Sequence, residues 1–465
     1  MRVLFSLVVD DSPVFAYKGY HLVQSILRHC GGENTVICVN VTAKVSQEIR
    51  AIFEELGCTV SELASFGDGS YCNKIAQLPN IQREEFDLAV LLDTDTILIE
   101  DIRLYLHTDC LQAKLVDMPN PSMAILAEIG RLAGLEKLPD VTHTDSGVGE
   151  TFLGNCNGGF YAIPRNLFDK LSVEWPRWAA WLFKHIEPLR REGKENHVDQ
   201  VSMWLVLHLN GLTYESAPSN FNYYIHFQGD HLFYIPQIPI SLLHYHNEIN
   251  VLGLIESPYA GKAVEREAIQ KANDQISQNF NSVLFWNFRY HQWPERGSGV
   301  GSRGEALLEK RKLLKAEGIE QAESVLDVGC GDLEVLRELK LSNYVGLDRS
   351  KEALQRAAKA RDDWSFRLMV YSDPAIAPAE FVLCMEVLIH QATAGDYHQL
   401  IDFLGQKTRK KLIVSGYESE AGLGGNHMLF YYEPLKTSLE RTERFRKVEK
   451  IGTHTSVAVY RCTVK

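Results

Sequence analysis

The chain has 465 residues, 45% hydrophobic and 23% charged, and its 48 basic and 60 acidic side chains leave a net charge of −12. That length predicts two or three domains, each able to bury a core without disulfides or a structural metal. An acidic chain suits nucleic acid poorly, because neutralising phosphate dominates that affinity, so no nucleic-acid partner is expected.

The acidity is uneven: residues 281–465 hold 27 basic and 25 acidic side chains, residues 1–280 hold 21 and 35. In chain order, the apolar run 3–9 predicts a buried strand ending at Asp10 and Asp11. It is too short to span a membrane and lacks the basic flank of a signal peptide, so no transmembrane segment is expected. Leu22, Val23, Ile26 and Leu27 predict a helix over 20–29, followed by a strand at 35–41, a helix at 46–56 and a strand at 88–92. Strands alternating with helices imply a mainly parallel sheet. The polar stretch 256–280 predicts a linking helix. A Gly/Ser/Arg-rich segment, 297–304, precedes a predicted helix at 305–317. A second strand–helix series starts at Ser324, with a helix from Leu333, later strands at 344–348, from 380 and at 411–415, and a hairpin from 447–453 and 456–463. Nine scattered cysteines without a CxxC pair read as reduced thiols, which predicts a cytoplasmic location and leaves room for peripheral membrane association.

The first chemical signal is Asp93-Thr94-Asp95, two carboxylates directly after a predicted buried strand. Hard divalent cations take oxygen ligands and keep a diphosphate in their shell, and acids at i and i+2 on a strand end can both reach such an ion. A solvated turn is the competing account. Here the chain resembles the GT-A glycosyltransferases, especially the glycogenin-like retaining group, over about residues 1–250. The resemblance implies that Asp10 and Tyr17 belong to the nucleotide-binding strand and helix. It puts Lys74 near the donor diphosphate, Asn157, Gly158 and Gly159 along the donor sugar, and Asp199 and Gln200 at the reacting sugar. It also implies a metal held by Asp93, Asp95 and a histidine of the late strand. His244 and His246 point the same way on a strand, so either can be that ligand. That group follows its histidine with a glycine, a lysine and a Pro-Trp pair, whereas His244 is followed by Tyr245, His246, Asn247 and Glu248. Retention or inversion of configuration stays open.

The second signal is Asp327-Val328-Gly329-Cys330-Gly331-Asp332, a strand running into a glycine-rich turn. Such glycines let backbone approach a ligand. A second strand ends at Asp348, where a carboxylate can accept from two ribose hydroxyls. This combination resembles the class I S-adenosylmethionine-dependent methyltransferases over about 281–465. The resemblance implies that Asp327, Gly329, Gly331 and Asp348 bind the cofactor, that Met385 and Glu386 lie near its adenine and methionine parts, and that Asp373 contacts the adenine amine. Arg303 can pair with the cofactor's carboxylate. His390 and His427 follow predicted strands, and either can take the proton of an acceptor hydroxyl.

The two resemblances together imply an α/β chain of two domains. An N-terminal GT-A domain with a Rossmann-like mixed sheet would cover 1–255, and a linker helix 256–280. A class I methyltransferase domain with a seven-stranded Rossmann-like sheet would cover 281–465. The expected activity is sugar transfer from a nucleotide-sugar donor to a glycan acceptor with Mn²⁺ or Mg²⁺, together with S-adenosylmethionine-dependent O-methylation of a sugar hydroxyl. The alternatives are a methyltransferase whose first domain only binds a nucleotide sugar or glycan, and a non-catalytic scaffold.

Overall fold

Apolar runs too short for helices supply the strands of two large sheets. The computed structural model describes residues 1–259, 261–423 and 425–465. The chain divides into one unit of Met1–Asn250 with Leu254–Ile276 and another of Val251–Gly253 with Ser277–Lys465.

The first unit contains β1 (Val3–Val9), β2 (Thr35–Val41), β3 (Thr59–Glu62), β4 (Leu88–Leu92), β5 (Thr96–Leu98), β6 (Leu111–Leu115), β7 (Val141–His143), β8 (Glu150–Phe152), β9 (Cys156–Pro164), β10 (Tyr214–Ser216), β11 (Tyr223–Tyr224) and β12 (Leu242–His244). Seven form a mixed sheet in the order β10-β6-β9-β4-β1-β2-β3, β11-β12-β5 form a smaller sheet, and β7 pairs with β8. In the large sheet β9 runs antiparallel to β4 and β6, and the other pairs are parallel. The unbroken Leu/Val/Ala composition of β4 fits a strand covered on both faces, and each of its residues is buried.

The helix expected over 20–29 spans Pro13–Cys30, because Ser12 Oγ accepts the Val14 N–H and Pro13 fits the first turn. The stretch expected as a linker forms the helix Ala263–Gln278. It is part of the first unit's core: Ala268, Ala272 and Ile276, four apart, pack with Ile97, Leu243 and Tyr245 over the small sheet.

The second unit contains β13 (Val325–Val328), β14 (Tyr344–Asp348), β15 (Ser365–Leu368), β16 (Ala379–Cys384), β17 (Thr408–Gly416), β18 (Phe445–His454) and β19 (Val457–Val464). They form one sheet in the order β15-β14-β13-β16-β17-β19-β18, parallel except for β19, which runs antiparallel to both neighbours. The strand order reverses between β13 and β16, the place where open α/β sheets bind ligands at carboxyl ends. The helix expected from Leu333 is absent. Leu333 has φ 65°, which breaks helical continuity, and Leu333, Leu336 and Leu339 enter the core through consecutive turns instead. Among the described residues, no helix is long and apolar enough to cross a membrane.

Leu326 sits buried in β13 with paired strands on both sides. Leu326→Ala should cost about 2–5 kcal/mol in urea unfolding followed by circular dichroism. Leu308→Ala, on a side chain 62% exposed, should change stability by under about 0.5 kcal/mol.

Candidate functional site

In the first unit the sheet register brings distant residues to one edge. Asp93 ends β4, and its N–H donates to the Gly159 carbonyl of β9 (3.3 Å). β5 pairs antiparallel with β12 so that His244 lies opposite Thr96, next to Asp95. One ligand atom from each of Asp93, Asp95 and His244 lies within 4.8 Å of the others. His244 Nε2 is 3.2 Å from Asp95 Oδ1, while His244 Nδ1 is 2.8 Å from Asn222 Oδ1. An amide oxygen only accepts, so Asn222 holds a proton on Nδ1 and fixes the ring with Nε2 toward Asp95. Asn222 in turn donates to Asn157 Oδ1 (3.0 Å), which also accepts from the Gly159 N–H (2.8 Å). Burial works against the Asp95 carboxylate, but His244, Lys18 and His246 outweigh it and hold its pKa well below the usual range.

Lys74 lies 2.7 Å from Asp93, 3.7 Å from Asp199, and donates to the Gly158 carbonyl (2.5 Å). Burial lowers its pKa, and Asp93 with Asp199 reverses that, so Lys74 stays charged. The two glycines are needed for this approach. A Cβ on Gly158 would lie 2.6 Å from Lys74 Nζ, and one on Gly159 would lie 2.6 Å from His244 Cε1. Asp199 is buried, its Oδ1 has no hydrogen-bond partner among the described residues, and burial pushes its pKa up to about 6. Gln200 turns toward His197 Nδ1 (2.6 Å). Asp10 accepts from Thr42 Oγ1, and Tyr17 is buried with its ring edge-on to His21. His246 does not continue the strand of His244, and it is not in the cluster of ligand atoms that Asp93, Asp95 and His244 form. β12 ends at His244, His246 has φ 49°, and its ring stacks on that of His244 at 3.8 Å.

In the second unit a cavity of about 370 Å³ opens at the carboxyl ends of β13, β14 and β16. Asp327, Gly329, Gly331, Asp348, Met385, Glu386 and His390 all line it. Tyr344 OH donates to Asp327 (2.9 Å), and the Gly331 and Ser350 N–H groups donate to Asp348 (2.9 and 2.8 Å). Burial dominates over these neutral donors and pushes Asp327 up to about 7 and Asp348 up to about 6. Gly331 has φ 56°, and a Cβ there would lie 2.6 Å from Tyr290 OH. Glu386 holds φ 60°, a costly conformation for a non-glycine residue. It is secured by Lys310 Nζ (2.5 Å), Thr455 Oγ1 (3.1 Å) and a bond from its own N–H to Ser415 Oγ (2.7 Å). His390 Nδ1 lies 2.8 Å from the Met428 carbonyl, and burial pushes its pKa down to about 4.

Three expected residues lie outside that cavity lining. Arg303 is taken by Asp332 (2.5 Å), so its guanidinium is already paired. Asp373 turns back onto the Ala375 N–H (2.9 Å) as a turn cap. His427 packs edge-on to Phe280, while its neighbours Asn426 and Met428 face the cavity. Several contributors were not expected from the sequence: Asn222, Lys310 and Arg349. Arg349 lines the cavity and bonds Tyr371 OH (2.9 Å). Their roles come from partners far along the chain, which leave no local spacing signal.

Solved structures of two kinds are similar to this chain. Magnesium protoporphyrin IX methyltransferase from Synechocystis PCC 6803 with bound SAH is 18% identical, with 40% of this chain and 89% of that chain covered and a TM-score of 0.29. N-methyltransferase NodS from Bradyrhizobium japonicum WM9 is 16% identical over 34% of this chain and 95% of that chain, with a TM-score of 0.28. The galactosyltransferase LgtC in complex with donor and acceptor sugar analogs is 14% identical over 58% of this chain and 95% of that chain, with a TM-score of 0.37. No protein-family model matches the chain, and neither does any curated protein.

Asn222 touches His244 without belonging to the acid–acid–histidine triad. Asn222→Ala should weaken Mn²⁺ binding roughly 10–100-fold in calorimetry, measured at a temperature where circular dichroism shows the variant folded.

Proposed function

We propose that the chain is a two-activity enzyme of glycan assembly. Its first unit transfers a sugar from a nucleotide-sugar donor, and its second unit methylates a sugar hydroxyl. The observation that carries the first activity is the convergence of Asp93, Asp95 and His244 beside Lys74, at the carboxyl edge of β4. Two hard carboxylate ligands and one imidazole fit Mn²⁺ or Mg²⁺. When bound, such an ion offsets the charge that develops on a departing diphosphate. Lys74 adds a second cation on the same side, and the absence of side chains at Gly158 and Gly159 is what lets Lys74 and His244 come this close. Asp199, 3.7 Å from Lys74 and with one oxygen that has no hydrogen-bond partner among the described residues, is the carboxylate assigned here to the reacting sugar.

For the second activity, the cavity over β13, β14 and β16 supports S-adenosylmethionine as the cofactor. Bound there, the cofactor supplies an electrophilic methyl group on a sulfonium centre. Asp327 offers a carboxylate to an ammonium group, and Asp348 offers one to ribose hydroxyls. His390 donates from Nδ1 to the Met428 carbonyl, which leaves its Nε2 lone pair for the proton of an acceptor hydroxyl. Its lowered pKa keeps it neutral at pH 7, the form that can take that proton. Trp286, edge-on to His390 at 5.0 Å, gives the same wall an apolar ring surface.

Incubation with a panel of nucleotide sugars and Mn²⁺ should release nucleoside diphosphate, and Asp95→Ala should reduce that release by 100-fold or more, on the order of losing ~3 kcal/mol of charge stabilisation. Release unaffected by the change would remove the metal assignment. For the cofactor, Asp327 must be ionised to pair with an ammonium. Its pKa of about 7 means that it is increasingly protonated below pH 7. Affinity for S-adenosylmethionine should therefore rise between pH 6 and pH 8, and Asp327→Asn should bind more weakly with this rise abolished. A pH-independent wild type would refute the role of Asp327.

A further inference from the structure

The first unit buries another cation beside its acidic pair. Lys18 lies in the helix Pro13–Cys30 among the buried residues Ala16, Tyr17, Gly19 and Tyr20, and is itself only 4% exposed. No Asp, Glu or Arg shares the segment 13–27 with it. Burying an ammonium is costly unless something polar or anionic lies against it. Its Nζ donates to the His246 carbonyl and, at 3.4 Å, to Asn247 Oδ1, so two of its three N–H groups meet neutral oxygens. The negative charge that acts on it is that of Asp95.

Its helix also passes close to the acidic loop. A Cβ on Gly19 would lie 2.9 Å from Val9 Cγ2 and 3.5 Å from Cγ2 of Thr94, the residue between Asp93 and Asp95. Lys18 is therefore held against the segment that leaves His244, one residue from where its helix passes the acidic loop. That segment contains no lysine or arginine from 245 to 261. The charge balance leaves a position to fill. Two carboxylates offset a divalent cation, and Lys74 is shared between Asp93 and Asp199. A nucleoside diphosphate would then bring negative charge with no further partner. We propose that Lys18 binds the terminal phosphate of the donor's diphosphate through its remaining N–H. This rests on the reading of the first unit as a nucleotide-sugar transferase.

The test is calorimetry on the full chain with MnCl₂, titrating ADP, CDP, GDP, TDP and UDP, then the monophosphate of the tightest binder. Lys18→Met keeps the buried stem and removes the charge. Its affinity for the diphosphate should fall roughly tenfold to hundredfold, while affinity for the monophosphate stays at the wild-type value. Unchanged diphosphate affinity overturns the proposal. An equal loss for both nucleotides also overturns it, because Lys18 would then only hold the 245–247 segment. If Lys18→Met is insoluble, Lys18→Gln, which keeps an N–H donor for the His246 carbonyl, is read by the same criteria. A wild type that binds none of the five diphosphates removes the underlying reading of the unit instead.

Discussion

Two carboxylates two residues apart at the mouth of a buried strand each need a close partner, and the first unit is arranged to supply both. Asp93 is met by Lys74, and Asp95 by His244, with Lys18 close behind. Each of these cations or ligands is itself buried, so each must reach a carboxylate closely to offset its own lost hydration. That requirement explains the paired glycines of β9. Lys74 and His244 occupy the space that side chains at 158 and 159 would take. The half of the chain with the larger acidic excess thus concentrates positive charge at one edge of its sheet.

The second unit handles its buried acids differently. Asp327 and Asp348 are held by a tyrosine hydroxyl and backbone N–H groups rather than by lysine or arginine. The one lysine on the cavity wall, Lys310, pairs with Glu386. Neutral donors do not outweigh the loss of hydration, so both carboxyls titrate far above their ordinary range. A cationic ligand would reverse that cost, whereas an anionic one would add to it. At Glu386 the strained backbone is held by its own N–H bond to Ser415, and two bonds from Lys310 and Thr455 fix its carboxylate at the cavity wall.

Legibility in the sequence followed how local each signal was. Asp93 with Asp95, and Asp327 with Gly329 and Gly331, stand out because strand, turn and charge lie within a few residues. Arg303 and Asp373 were expected at a ligand and found occupied elsewhere, by Asp332 and by the Ala375 N–H. Neither partner can be inferred from spacing, because an exposed charge near a site has many possible mates. His246 looks equivalent to His244 under strict strand alternation, but the strand stops at His244, and the left-handed residue His246 stacks its ring on that of His244 rather than joining the two acids. The helix from Leu333 failed for the same reason, a single positive φ within an otherwise regular apolar spacing.

By itself the sequence determined the alternation of strands and helices, the two glycine- and acid-bearing strand ends, and the division into an acidic and a near-neutral half. These depend on apolar periodicity and on residues adjacent in the chain. Tertiary structure alone decided which histidine meets Asp95, that Asn222 orients it, that Lys18 is held against the segment after His244, and which residues form the cavity wall. Those choices depend on register between β5 and β12 and on the burial of charges whose partners lie tens to hundreds of residues away. The energy that selects them, the cost of leaving a buried charge unpaired, exists only once the chain has folded.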